Sequence, residues 1–256
     1  MAGSLPKLAA LRAEIAAVER GGRSAEGALP FGDPRIDARL AGGGLALGAW
    51  HELAGEGLEL ETGAAGAGFV ARLMTRLAGR GELVWVLRRD DLYAPGLAAL
   101  GLPAERLIQV CARDEAEALA VMEEALRTRG VAAAVCEAEA VDLVAGRRLQ
   151  LACEQGLATG FVLRRRPFGG AERGRAASSA ASTRWSLAPA PSEPASTAPG
   201  LGPPRWRVAL ERCRAGRTGA WILEASEDDD AAHPFRVVAE LGDRHLAAPA
   251  QLRLAG

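Results

Sequence analysis

Lysine is almost missing from this 256-residue chain: it occurs once, at Lys7, against thirty arginines. Chemistry that needs a lysine elsewhere, as nucleophile, Schiff-base former or phosphate ligand, is thereby excluded from the rest of the sequence. Asparagine is absent, and tyrosine occurs once. The four cysteines (Cys111, Cys136, Cys153, Cys213) stand far apart, with no CxxC and no Cys/His pair at ligand spacing. Three lie in apolar runs, so buried free thiols in a reducing interior are expected. His51, His233 and His245 have no acid or nucleophile at a recognisable spacing, and His51 reads as a hydrogen-bonded core residue. No metal site is expected. No apolar run is long enough to cross a bilayer, and the N-terminus lacks the apolar core of a signal peptide, which points to the cytoplasm. A net charge of −1 gives no global attraction to nucleic acid, so any such contact must be local.

What is present is alternation. With 49% hydrophobic and 25% charged residues the chain can bury a sizeable core. Residues 4–20 carry Leu5, Leu8, Leu11, Ile15 and Val18 at helical spacing, ended by Gly21-Gly22, and form an N-terminal helix within 1–22. GDPRIDARL predicts a short helix begun at Asp33-Pro34, and Leu47–Leu53 the first central strand. Beyond come LVWVL (83–87), RLIQVC (106–111), VAAAVCE (131–137) and TGFVLRRR (159–166), all read as buried strands. Helical patterns at YAPGLAALG, 114–130 and 141–155 separate them. Apolar strands alternating with helices indicate a parallel sheet covered on both faces. STRWSLAPAP, RWRVALERC, GAWILEAS and PFRVVAEL then predict antiparallel strands towards the C-terminus. One α/β domain over 28–241 is expected, with flexible insertions at about 168–181 and 189–204 and a tail at 242–256.

The stretch Gly63–Val70, GAAGAGFV, lies between a strand and a helix-like run, where a glycine-rich phosphate loop would sit. Gly63 and Gly68 keep the P-loop spacing and Gly66 lies between them. Phe69 and Val70, however, stand where Lys and Ser/Thr belong. Glu137 ends its strand where a metal-binding acid would lie, and Asp90 and Asp91 follow LVWVL behind Arg88 and Arg89. Thr62 and Arg72 are poorly placed to replace the missing groups. The loop is expected to be a turn that keeps its shape without its chemistry. ATP hydrolysis is therefore not expected, no cofactor is assigned, and weak ATP/Mg binding stays open.

The order of these elements resembles the RecA/RadA-type P-loop ATPase core over nearly the whole chain. Within that group, HELAG, GFVARL, YAPGLAALGLPAERLIQV, TRWSLAPAPS and RWRVALERCRAG are similar to the ImuA family. The resemblance implies a RecA-like fold and a role in SOS-induced translesion DNA synthesis. The implied partners are an ImuB-like protein and, directly or through it, an error-prone DnaE-type polymerase; RecA and single-stranded DNA are further candidates. The N-terminal helix, the face near Phe69 and the C-terminal tail are the surfaces expected to meet partners. The basic run Arg164, Arg165 and Arg166, with Arg173 and Arg175, lies where RecA-type cores carry DNA-contacting loops. A solvated basic loop is an equal reading of it. Trp185 and Trp206 are expected to pack rather than stack on bases, and the acidic run 227–230 to be a solvated turn. An ATP-gated or single-strand-binding protein, and a SulA-type cell-division inhibitor, remain as alternatives.

Overall fold

The computed structural model describes residues 27–57, 59–165, 180–194, 201–226 and 233–241. The expected N-terminal helix, the acidic run, the tail, Arg166, Arg173, Arg175, most of the first insertion and residues 195–200 of the second lie outside the described residues. Nine strands form one sheet in the order β11-β10-β9-β8-β3-β7-β6-β4-β5. These are β3 (Trp50–Gly55), β4 (Glu82–Leu87), β5 (Leu107–Cys111), β6 (Val131–Ala138), β7 (Thr159–Arg164), β8 (Thr183–Ala190), β9 (Arg205–Cys213), β10 (Gly219–Ala225) and β11 (Phe235–Leu241). The six strands from β8 to β5 pair in parallel, and β8-β9-β10-β11 pair antiparallel. A two-stranded ribbon, β1 (Ala28–Leu29) with β2 (Leu45–Ala46), precedes them. The large, mostly parallel sheet flanked by helices and extended by antiparallel strands is the expected architecture.

Among the described residues, five α-helices connect these strands: α1 (Pro34–Asp37), α2 (Glu59–Thr75), α3 (Ala94–Ala98), α4 (Glu115–Arg127) and α5 (Leu143–Gly156). Their starts follow from capping. The side chains of Asp33, Asp114 and Asp142 accept from Arg35 N, Glu117 N and Ala145 N, each satisfying an amide that the first turn leaves without a partner.

Alternation along each central strand divides the core in two. Leu83, Trp85, Leu87, Val135, Phe161 and Leu163 face α2, while Val84, Val86, Ala134, Cys136 and Val162 face α4 and α5 with Met122, Leu126 and Leu149. Beyond β8 the apolar residues are one-sided: Trp185, Leu187, Trp206, Val208, Leu210, Trp221, Leu223, Phe235 and Val237 all join the α2 core. The other side of this half carries an ion-pair ladder, with Glu52 to Arg184, Glu56 to Arg207, and Glu224 to Arg205 and Arg236.

Four expectations need correction. RLIQVC is not buried: β5 is the sheet's edge strand, Ile108 is 48% exposed, and Cys111 is exposed. An apolar run reports compatibility with a sheet but not the number of neighbours. The first central strand begins at Trp50 and ends at Gly55, and Pro189 and Ala190, assigned to a linker, close β8. The largest change concerns Gly63–Val70, which is no turn. The chain leaves β3 at Gly55 and is helical from Glu59, so the whole stretch lies inside α2.

Candidate functional site

The reason α2 can run through so many glycines is proximity. A Cβ on Gly66 would lie 2.8 Å from Leu163 Cδ1, and one on Gly68 would lie 3.2 Å from Leu100 Cδ1 and 3.6 Å from Trp206. Small residues let the helix approach β7 and the segment after α3, which offsets the weak helix propensity of glycine. Phe69 and Val70 then fall on the helix face turned to the sheet and are fully buried. Phe69 stacks on Phe235 with ring centroids 4.8 Å apart and meets the edge of Trp206 at 6.0 Å. The face near Phe69 is therefore core, not surface.

These residues do not fit a phosphate cradle. A P-loop presents free amide groups and a lysine ammonium around the anion. Here the amides of Gly63–Val70 belong to a helix interior, and side chains fill the positions of the two missing functional residues. Arg72, one turn on, is also committed: its guanidinium donates to the carbonyls of Leu100, Ser226 and Pro234 at 2.7–3.2 Å. Burial pushes its pKa down, and the three carbonyls take up its donors.

A cleft of about 460 Å³ opens beside this helix, at the carboxyl ends of the parallel strands, where α/β sheets characteristically hold ligands. Its floor is Gly63, Ala64, Ala67 and Gly68 of α2. Leu92, Tyr93, Gly96, Leu97 and Leu100 form the opposite wall, and Arg89, Asp91 and Arg165 the polar end. Tyr93, the one tyrosine, is 72% exposed.

Behind the polar end lies Glu137, fully buried at the end of β6. Its Oε1 accepts from Arg165 Nη1 at 2.8 Å and from Trp85 Nε1 at 3.4 Å, while Oε2 has no hydrogen-bond partner. Burial raises its pKa and Arg165 opposes the shift. Arg165 also reaches Asp91 through Nη2 at 3.1 Å. The carboxylate proposed as a vestigial metal ligand is thus one member of an Arg165–Glu137–Asp91 network. Among the described residues no group of three His, Cys, Asp or Glu converges as a metal site would.

The other described member of the basic run is equally occupied. Arg164 donates from Nε to the Glu139 carbonyl at 3.1 Å and pairs with Glu52 on the opposite face of the sheet. His51 is a core residue, with Nδ1 2.8 Å from Thr183 Oγ1 and Nε2 2.9 Å from the Ala46 carbonyl. Trp185 and Trp206 are both buried, as expected. The cleft wall from Arg89 to Leu100 was missed as a site; the lone tyrosine in DDLYAPGLAAL was the available signal.

No family model matches the chain. Two proteins named Protein ImuA, from Caulobacter vibrioides strains NA1000 / CB15N and ATCC 19089 / CIP 103742 / CB 15, are each 58% identical to it over 236 residues. The match spans 90% of this chain and 97% of each of those proteins. The chain belongs to the ImuA family. As a member of that family it bears out the resemblance carried by HELAG, GFVARL and the later phrases. The SulA structure from Pseudomonas aeruginosa superposes with a TM-score of 0.40 and 27% identity, covering 46% of this chain and 98% of that one. No helix among the described residues of this ImuA-family chain is long and apolar enough to cross a membrane.

Proposed function

We propose that this protein is a non-hydrolysing accessory subunit of DNA damage tolerance. It binds an ImuB-like protein and, through it, supports an error-prone DnaE-type polymerase in SOS-induced translesion synthesis. The observation that carries this reading is the 58% identity with Protein ImuA along 90% of the chain. The non-catalytic half rests on α2, whose Phe69 and Val70 occupy core positions instead of supplying phosphate and Mg²⁺ ligands. In this reading the fold is a RecA-like core that has kept its scaffold and lost its nucleotide chemistry.

The cleft between α2 and Tyr93 is the surface offered to the partner, because it combines exposed aromatic and apolar groups with a charged end. The test is co-purification of the full chain with the ImuB-like protein of the same genome, with and without ATP. Association that persists without nucleotide is expected. Strict ATP dependence, or steady ATP turnover by the pure protein, would overturn the reading. Within it, Tyr93→Ala weakens the association at least tenfold while leaving the melting temperature unchanged.

A further inference from the structure

On the face of the antiparallel half away from α2, two arginines stand directly opposite one another. Arg184 of β8 and Arg212 of β9 are Cα partners in the ladder. Like charges at such positions weaken a sheet, by up to about 1 kcal/mol. The carboxylate beside them is already shared. Glu52, 3% exposed, accepts from both Arg184 Nε and Nη2 at 3.2 Å, and Arg164 Nη1 lies 3.7 Å away. Arg212 instead donates to the Ala181 carbonyl. Burial pushes its pKa down, and Arg184 and Arg214 push it further, against the pull of Glu52.

The turn that follows adds to the concentration of positive charge. Arg214 and Arg217 are both exposed there; among the described residues the exposed acids nearby are Glu211 and Glu240, and Glu240 is paired with Arg39. The turn is held in place on two sides: Arg214 N donates to the Ser182 carbonyl at 2.9 Å, and Arg217 N to the Arg39 carbonyl at 2.8 Å. Beside it, Ala181, Ser182 and Thr183 are small.

We propose that Arg212 and Arg214, backed by Arg184, form a subsite for the phosphate backbone of a nucleic acid. Guanidinium groups on an anchored turn suit phosphate oxygens, which ask for charge and planar donors and nothing apolar. An acidic protein segment fits less well, since protein interfaces centre on buried aromatic or apolar anchors, and the described residues beside the turn, Ser182, Thr183 and Arg212, are polar. The subsite lies on the opposite face of the sheet from the α2 cleft, so the proposal goes beyond the partner-binding reading and does not depend on it.

The test measures binding of the full chain to a fluorescein-labelled single-stranded oligodeoxynucleotide by anisotropy, over a range of salt concentrations. Arg212→Ala with Arg214→Ala should weaken binding about tenfold at low salt and flatten the log–log salt dependence by about 1.5, the loss of two phosphate contacts. Arg212→Lys with Arg214→Lys should stay within about threefold of the parent, because it keeps both charges and loses only the planar fork. Arg236→Ala, exposed on the same face but paired with Glu224, should bind like the parent. Melting curves establish that each variant is folded, and Gln replaces Ala if the alanine pair is not. Absence of oligonucleotide binding by the parent, parental binding by the folded double variant, or equal loss in Arg236→Ala overturns the subsite. Competition by polyglutamate as effective as that by unlabelled oligonucleotide overturns the assignment to nucleic acid.

Discussion

The guanidinium of Arg165 meets the buried carboxyl of Glu137 at 2.8 Å, joining the carboxyl ends of β7 and β6, and its other arm reaches Asp91 in the segment after β4. Sheet and cleft wall are latched by one side chain. Removing one partner of a buried pair costs about 3–5 kcal/mol, because it strands the other. Arg165→Ala should therefore lower urea stability by about 3 kcal/mol.

The same pair sets a pH dependence. Glu137 has its pKa raised by burial, so the folded state holds its proton to higher pH than the unfolded chain does. Such a group contributes stability below its unfolded pKa and loses it as pH rises through the folded one. Without Arg165 the shift grows, so the deficit of Arg165→Ala should be smaller at about pH 5 than at about pH 8. Adding Glu137→Gln to that variant should remove the difference. Urea titrations at both pH values decide it, and a deficit independent of pH would refute the coupling.

His51 acts in the opposite direction. Burial lowers its pKa to about 4, although the bond to the Ala46 carbonyl opposes the shift. A base depressed in the folded state contributes stability that is complete above its unfolded pKa of about 6.5 and is lost as pH falls towards 4. The full effect is on the order of 3 kcal/mol. His51→Gln should be less stable than the parent at neutral pH, with the gap closing on acidification.

Phe69→Ala, which empties a site between Phe235 and Trp206, should cost about 3–5 kcal/mol in urea denaturation. Phe69→Lys with Val70→Thr writes the P-loop pair back into the sequence. It should produce an unfolded protein, because it puts an ammonium where the core has no partner for it. A folded double variant that hydrolyses ATP would show instead that the loop's chemistry is recoverable.

The cysteines can be ranked by labelling under native conditions. Cys111 on the open edge of β5 should react first and Cys213 more slowly. Cys136 and Cys153 are buried, and burial pushes both thiols well above their usual pKa. They should stay unmodified until the chain is denatured. Mass spectrometry of the labelled protein reads the order directly.

The central strands were legible because a strand buried on both faces is a continuous apolar run, and β4, β6 and β7 are such runs. RLIQVC looks the same, yet it forms the edge, since strand order is decided by chain segments far away. GAAGAGFV misled for a related reason. Glycine at fixed intervals signals either a loop or a helix pressed against a neighbour, and the neighbours here, Leu163 and Trp206, are about a hundred residues or more downstream. Arg164 and Arg165 looked like part of a solvated basic run because their partners, Glu52, Asp91 and Glu137, lie on other elements, 28 residues away for Glu137 and 74 for Asp91. Periodicity reports burial well and pairing poorly.

The three carbonyls gathered by Arg72 bear on how the chain is made. Two of them, Ser226 and Pro234, flank the entry to β11, and Pro234 lies 162 residues beyond Arg72. Phe69, three residues before Arg72, takes its closest ring contact from Phe235. As the chain leaves the ribosome, the part of the α2 face around Phe69 stays uncovered until β11 has been made. Truncation before β11 would therefore strip the middle of the protein, not merely shorten its end. A strand entered 162 residues after Arg72 completes the packing of this helix.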